Sequence, residues 1–288
     1  MSGSVAVLRA ELYRLSRHRS VHLSTLFIVV VAVMRVWGES VIQAASRAAI
    51  VQRALERGAT PPEMAPANAF APLVEGWLSA LTVGSLLLLI LASRCLAADR
   101  ESGVLRLART RSASRGAMVV GRALLGIPLV LGLVVISGAA AWLTAAWLFD
   151  FGPLVEHGFE LLSTETFYDE LRRAVVATVP PLLANWTFGL AVSACSRSPS
   201  LALGTSLAAY LGFDLFKQVL GDGQWWIFAS FAPSFSDASA MQEMTGVARG
   251  LSDAGYSAAR YNQNMLLPWP EALLLVAVAW WATRRRAL

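Results

Sequence analysis

Six apolar runs, each long enough or nearly long enough to cross about 30 Å of hydrocarbon, dominate this chain. They cover 21–44, 71–97, 123–149, 174–195, 201–220 and 267–283. Only 15% of the residues are charged, against about 25% for an ordinary water-soluble domain, so there is too little polar surface to clothe such a core in water. Backbone in hydrocarbon must satisfy its own hydrogen bonds, and the runs are therefore expected as helices. The expected fold is an all-α integral membrane protein, one transmembrane domain over residues 1–288 with six transmembrane helices. An even number of crossings leaves both termini on one side.

Two runs depart from the simple pattern. In the first, apolarity is unbroken only from Val21 to Met34, a length that also suits a signal-peptide core, with AASRAA following downstream. We read it as a retained span, because Arg35 can snorkel outward, Trp37 can anchor at the interface and Glu39 stands one helical turn on as an ion partner. The sixth gives 17 residues from Leu267, near the lower limit for a span, and Pro270 is tolerated in its first turn.

Arginine placement sets the orientation. With a cytoplasmic N-terminus, the inner side holds Arg9, Arg14, Arg17, Arg19, Arg94, Arg100, Arg106, Arg109, Arg111, Arg115, Arg122, Arg197 and Arg284 to Arg286. These 15 of the 24 basic residues meet three acids, Glu11, Asp99 and Glu101, a balance of +12; the other nine basic and 16 acidic residues give −7 outside. Basic residues near span ends stay inside, which favours this topology. Trp37, Trp77, Trp147, Trp225, Trp226 and Trp269 then fall at outer ends of spans, and Trp280 and Trp281 at the inner end of the last. Dispersed along short loops, the net charge of +5 reads as membrane topology and not as a nucleic-acid footprint.

Residues 4–19 place Val5, Leu8, Leu12 and Leu15 on one stripe with Arg9, Arg14 and Arg17 elsewhere, as in a helix lying in the membrane interface. Cys95 and Cys195 fall at expected cytoplasmic span ends, where thiols stay reduced, so a structural disulfide is not expected. His18, His22 and His157 are scattered without ligand spacing. In the longest outer segment, about 221–266, Pro233 and Ser234 can open a short helix bearing Met241 and Met244. Methionines at that spacing usually pack and do not bind copper(I).

Ionisable residues inside spans carry a cost that function or pairing must offset. Asp214 and Lys217 stand three apart in the outer half of the fifth run, and Glu75 near the outer start of the second. They fit either a polar pathway or, for Asp214 and Lys217, an intrahelical pair snorkelling to water, and nearness to the outer end favours the pair. Pro180 and Pro181 free backbone carbonyls in the fourth run, with Asn185 one turn later; such a break can open a cavity, act as a hinge or be a static bend. No phosphate-binding loop exists: the only lysine, Lys217, lies between Phe216 and Gln218. No GxSxG elbow, HExxH or pair of catalytic carboxylates stands where a span end could hold it together, although distant side chains could converge. No catalytic residue, bound cofactor or metal ligand is expected in this chain.

Between the second and third runs lies ESGVLRLARTRSASRGAMVVGR, Glu101 to Arg122, a short basic segment between long apolar ones. It resembles the first cytoplasmic loop of the type-2 ATP-binding-cassette (ABC) exporter permeases. Without gaps, Glu101, Gly103, Leu105, Leu107, Arg115 and Gly121 fall on matching positions, while Val104 stands for the usual Thr, Ser112 for Pro and Arg122 for Lys. An interfacial N-terminal helix, a short second cytoplasmic loop (Ser196 to Ser200), an outer segment opening with Pro and a basic C-terminus have counterparts in that family. PSFSDASAMQEMTG and the ending from LLPWPEALLL to TRRRAL look most like the permeases associated with nitrous-oxide-reductase maturation.

The resemblance implies a permease subunit of an ABC transporter, docking on a separate cytoplasmic ATPase through a coupling helix in 99–122 and pairing with a second permease copy or homologue. ATP and Mg would be held by the ATPase, and the direction would be export across a bacterial inner membrane. Gly103 would free the chain to leave the second span, Leu105 and Leu107 would anchor in an apolar cleft, and arginines would steer an acidic partner. The two other readings are a polytopic enzyme acting on a lipid and a non-transporting anchor or regulator. The substrate has no motif, since a pathway selects by cavity shape.

Overall fold

The computed structural model describes residues 3–58, 60, 68–102, 114–156, 159–234, 239–251 and 257–285. Nearly all of these are helical. An interfacial-length helix α1 (Gly3–Ser16) precedes α2 (Arg19–Glu56), α3 (Phe70–Glu101), α4 (Arg115–Leu148), α5 (Thr164–Cys195) and α6 (Pro199–Phe216). Two short helices, α7 (Ala240–Ala248) and α8 (Ala258–Leu266), lead into α9 (Pro268–Arg285). Between α4 and α5 a small antiparallel hairpin, β1 (Leu154–Glu156) and β2 (Phe159–Leu162), is the one paired-strand element among the described residues, and the apolar-run pattern gave no sign of it.

Serine punctuates the chain where helices start. Ser114, Ser163, Ser198, Ser239 and Ser257 each sit in extended backbone and accept an N–H from the third residue on, which satisfies one orphan donor per helix. Pro199 occupies the first turn of α6, where its missing N–H costs nothing. The helix carrying Met241 and Met244 thus begins at Ala240 behind the Ser239 cap, and not at Pro233 and Ser234 as expected. Both methionines are fully buried in the main hydrophobic core.

Among the described residues five helices are long and apolar enough to cross a membrane: α2, α3, α4, α5 and the continuous stretch Ala258–Arg285 formed by α8 and α9. The fifth apolar run behaves differently. Its α-helix, α6, is 18 residues long and gives way at Lys217 to a 3-10 segment that runs to Trp226 and contains Gly221 at φ 53°. At about 1.5 Å per residue, the 38 residues of α2 reach about 57 Å, far more than a bilayer core requires.

Helices α3 and α5 form the centre. In α5, 72% of the most apolar stretch is buried, and in α3 61%, against 11% in α2, so α2 is a peripheral helix with an open apolar face. Ile28, Ala32 and Val36 of α2 meet Leu73, Ala80 and Leu81 of α3 and Val130, Leu133 and Ala141 of α4 in one core. Phe70 stacks on Phe167 with ring centroids 3.7 Å apart, closing the start of α3 against that of α5. A second cluster, with Leu190 and Ala194 of α5 against Ala279 and Ala282 of α9, holds the last helix in place. Trp77, expected in an interfacial belt, instead packs into this bundle: a Cβ on Gly138 of α4 would lie 2.5 Å from its ring.

Candidate functional site

Two groups of polar residues stand out against this apolar background, one at each end of α3. The first lies where α3 ends and α4 begins. Asp99 and Arg122, separated by 23 residues and the loop between them, pair with their side chains both 4% exposed. Glu11 of α1 joins them, its Oε1 accepting from Arg122 Nη2 at 2.9 Å and from Nε at 3.2 Å. Arg14 Nη1 donates to Asp99 Oδ1 at 3.3 Å, and Trp186 Nε1 of α5 donates to the backbone carbonyl of Arg122 at 2.9 Å. Four helices meet on this cluster.

Helix α1 lies against this cluster along one side. Ser4, Val7, Leu8, Glu11 and Leu15 form its half-buried face, while Val5 and Leu12 are each 37% exposed. Glu11, the one acid of α1, faces the buried guanidinium of Arg122. Gly121 allows the approach: a Cβ there would stand 2.8 Å from Val7 Cβ and 2.9 Å from the carbonyl of Ser4. Arg122, expected among the arginines that steer a partner, is instead sequestered inside the bundle. Arg100 is also occupied, donating to the carbonyls of Ser196 at 2.6 Å and Ala194 at 3.2 Å, which caps the C-terminal end of α5.

Of the segment singled out in the sequence, Glu101 is exposed at the last turn of α3 and Gly121 lies buried in α4. Arg115 is the first residue of α4, although its side chain is outside the described residues. Gly103, Val104, Leu105 and Leu107 are also outside them. Cys95 and Cys195 form no disulfide, and Cys195 is exposed at the end of α5.

The second group surrounds the start of α3. Glu75, 5% exposed, offers one carboxylate oxygen to Arg35 of α2 and the other to Arg249, just beyond α7. Arg35 also bonds Glu39 at 2.7 Å, the i,i+4 pair expected from the sequence. Beside them opens a cavity of about 410 Å³, with Arg35, Glu75, Thr82, Ser234, Gln242 and Arg249 in its wall.

The back of that wall is built from the segment after α6. Residues 228–233 are buried, so this stretch folds into the bundle and does not lie over its surface. The apolar sequence FASFA, Phe228 to Ala232, carried that signal. The carbonyl of Pro233 accepts from Ser85 Oγ at 3.2 Å and from Tyr210 Oη at 3.4 Å. Lys217 Nζ donates to Ser234 Oγ at 3.2 Å and pairs with Asp214 at 2.9 Å. That pair forms as an i,i+3 contact but does not snorkel to water: the side chains are 2% and 3% exposed because the inserted segment covers them.

Pro180, Pro181 and Asn185 are all buried in α5, which continues through them as one helix. Asn185 Nδ2 donates to the carbonyl of Ser85 at 3.0 Å, linking α5 to α3 opposite the inserted segment. Glu75, Asp214 and Lys217 therefore border one region, joined through Ser234, whereas the two prolines lie inside the helix–helix core. Among the described residues no group of three or more His, Cys, Asp or Glu side chains converges. The arrangement offers charged groups and hydroxyls to a polar ligand.

Among curated proteins none matches the sequence. The family model described as ABC-2 family transporter protein matches residues 5–277, which takes in every helix from α1 to most of α9. The protein belongs to the ABC-2 family, as a multi-pass membrane permease component of an ABC transporter.

Proposed function

We propose that this chain forms half of the export pathway of an ATP-driven transporter and that residues 101–122 carry the motion of a separate ATPase subunit into the bundle. One observation supports the coupling role above others. Asp99 before the loop and Arg122 after it are locked to each other, to Glu11 of α1 and, through the Arg122 carbonyl, to Trp186 of α5. A force that reaches Asp99 or Arg122 is therefore shared by four helices. Glu101, Gly103, Val104, Leu105, Leu107, Arg115 and Gly121 are the residues we assign to coupling, with Gly121 acting through the α1–α4 contact. ATP and magnesium belong to the ATPase.

In this reading α6 with the segment after it supplies the sixth crossing, both termini are cytoplasmic and the host membrane is a bacterial inner membrane. A second permease copy or homologue completes the pathway. The open face of α2, where Phe27, Val30, Met34 and Trp37 are each about half exposed, is apolar enough to meet that copy or lipid. Mass measurement of the complex in lipid discs tests this. Two permease-sized subunits with two ATPases are expected; a lone permease with full transport activity would contradict it.

A further inference from the structure

We propose that the cavity between α2, α3 and α7 binds a ligand bearing a carboxylate or phosphate group, which takes the place of Glu75 on the guanidinium of Arg249. The wall of the cavity holds two cations, Arg35 and Arg249, and one anion, Glu75, with Glu39 paired to Arg35 beside it, so the fixed charges balance and an anionic guest enters by replacing a carboxylate on a guanidinium. Glu75 already shows which chemistry the two guanidiniums accept, since each of its oxygens holds one of them. The two arginines differ in what they lose when Glu75 is displaced. Arg35 keeps Glu39 at 2.7 Å, whereas Arg249 has Glu75 as its one ion partner among the described residues. Arg249 is also 50% exposed at the side chain, free enough to swing to a guest, while Arg35 is anchored in the middle of α2.

Neutral groups complete the site. Thr82, Ser234 and Gln242 line the same cavity and can hydrogen-bond a polar headgroup, and Lys217 behind the wall donates to the Ser234 hydroxyl. A volume of about 410 Å³ admits a small organic anion or one lipid headgroup, and falls within the size range of ligand sites. Seating the guest would also release Arg249 from Glu75 of α3. The inference leans on the permease reading only for what happens to the ligand afterwards. Binding itself needs no ATPase.

The test therefore uses the full-length permease alone, in phosphatidylcholine discs. One arm titrates sn-glycerol 3-phosphate by calorimetry; the other adds phosphatidylglycerol to the discs and measures retained lipid by native mass spectrometry. Saturable binding of the soluble phosphate assigns the site to a water-borne ligand, and retention of phosphatidylglycerol alone assigns it to a lipid headgroup. In the positive arm, Arg249→Gln should weaken binding about tenfold or more, the usual effect of losing a hydrogen bond to a charged group. Glu75→Gln should tighten it, because a competing carboxylate is gone, and a merely structural Glu75 would not give that sign. Absence of saturable binding in both arms overturns the proposal, as does unchanged affinity in Arg249→Gln. Weaker binding in a folded Glu75→Gln protein overturns it as well. If Glu75→Gln does not fold, the half-exposed Arg249→Gln variant decides alone.

Discussion

Removing Arg122 should be among the most damaging single changes in this protein. Its guanidinium is the hub between Asp99 and Glu11, with side chains 4%, 4% and 12% exposed, and its loss strands two buried carboxylates together. Breaking a buried pair by deleting one partner typically costs about 3–5 kcal/mol. Asp99 retains Arg14 at 3.3 Å, but that arginine is 57% exposed and screened by water, so the lower end, about 3 kcal/mol, is the better figure for Arg122→Ala. At about 2–4 °C per kcal/mol for a chain of this size, the apparent unfolding midpoint should fall by about 6–12 °C. Asp99→Asn should do less harm, because Arg122 keeps both of its contacts to Glu11. Fluorescence-monitored thermal unfolding in detergent measures both, with Arg94→Ala, an exposed position on the same helix as Asp99, as control. If Arg122→Ala melts together with that control, the buried cluster does not hold these helices.

Glycines on α4 should respond in opposite directions. Gly126→Leu would drive a side chain into Trp186, whose Cδ1 lies 2.4 Å from the position of the new Cβ, and overpacking of this kind costs about 1–3 kcal/mol. Gly132→Ala meets nothing within 4 Å and should be neutral or stabilising by up to about 1 kcal/mol through helix propensity; the same melting assay reads both. Topology is open to labelling with an impermeant maleimide. Native Cys195 should react only in inverted vesicles, and Ser163→Cys in a Cys195→Ser background only from outside, since the arginine-rich ends stay cytoplasmic. Labelling of Cys195 in intact cells would reverse the orientation.

Local periodicity revealed much of the architecture, because apolar runs are a property of consecutive residues. The Arg35–Glu39 pair was legible for the same reason, one helical turn being a fixed distance. Long-range pairing was not. Arg122 reads as one more loop arginine until the fold brings Glu11 from 111 positions away, and Glu75 gains its second partner from 174 positions away. The tie between α1 and α4 had no local sign either, since Glu11 reads as one acid on a basic helix until Arg122 meets it. For Asp214 and Lys217, spacing identified the pair while their burial depended on a segment that folds back over them, a tertiary event without local signature.

The coupling of the Glu101–Arg122 segment to an ATPase is tested most directly by replacing Leu105 and Leu107 with Asp. Both lie outside the apolar runs, so insertion and expression should be kept, while charge would be forced into an apolar cleft on the partner. Loss of a hot-spot contact costs at least about 2 kcal/mol, which weakens binding by roughly 30-fold. Copurification of the ATPase from detergent should then fail, and ATPase activity in lipid discs should no longer respond to the permease. Wild-type copurification and wild-type stimulation by the double-Asp variant would contradict the coupling role of this segment.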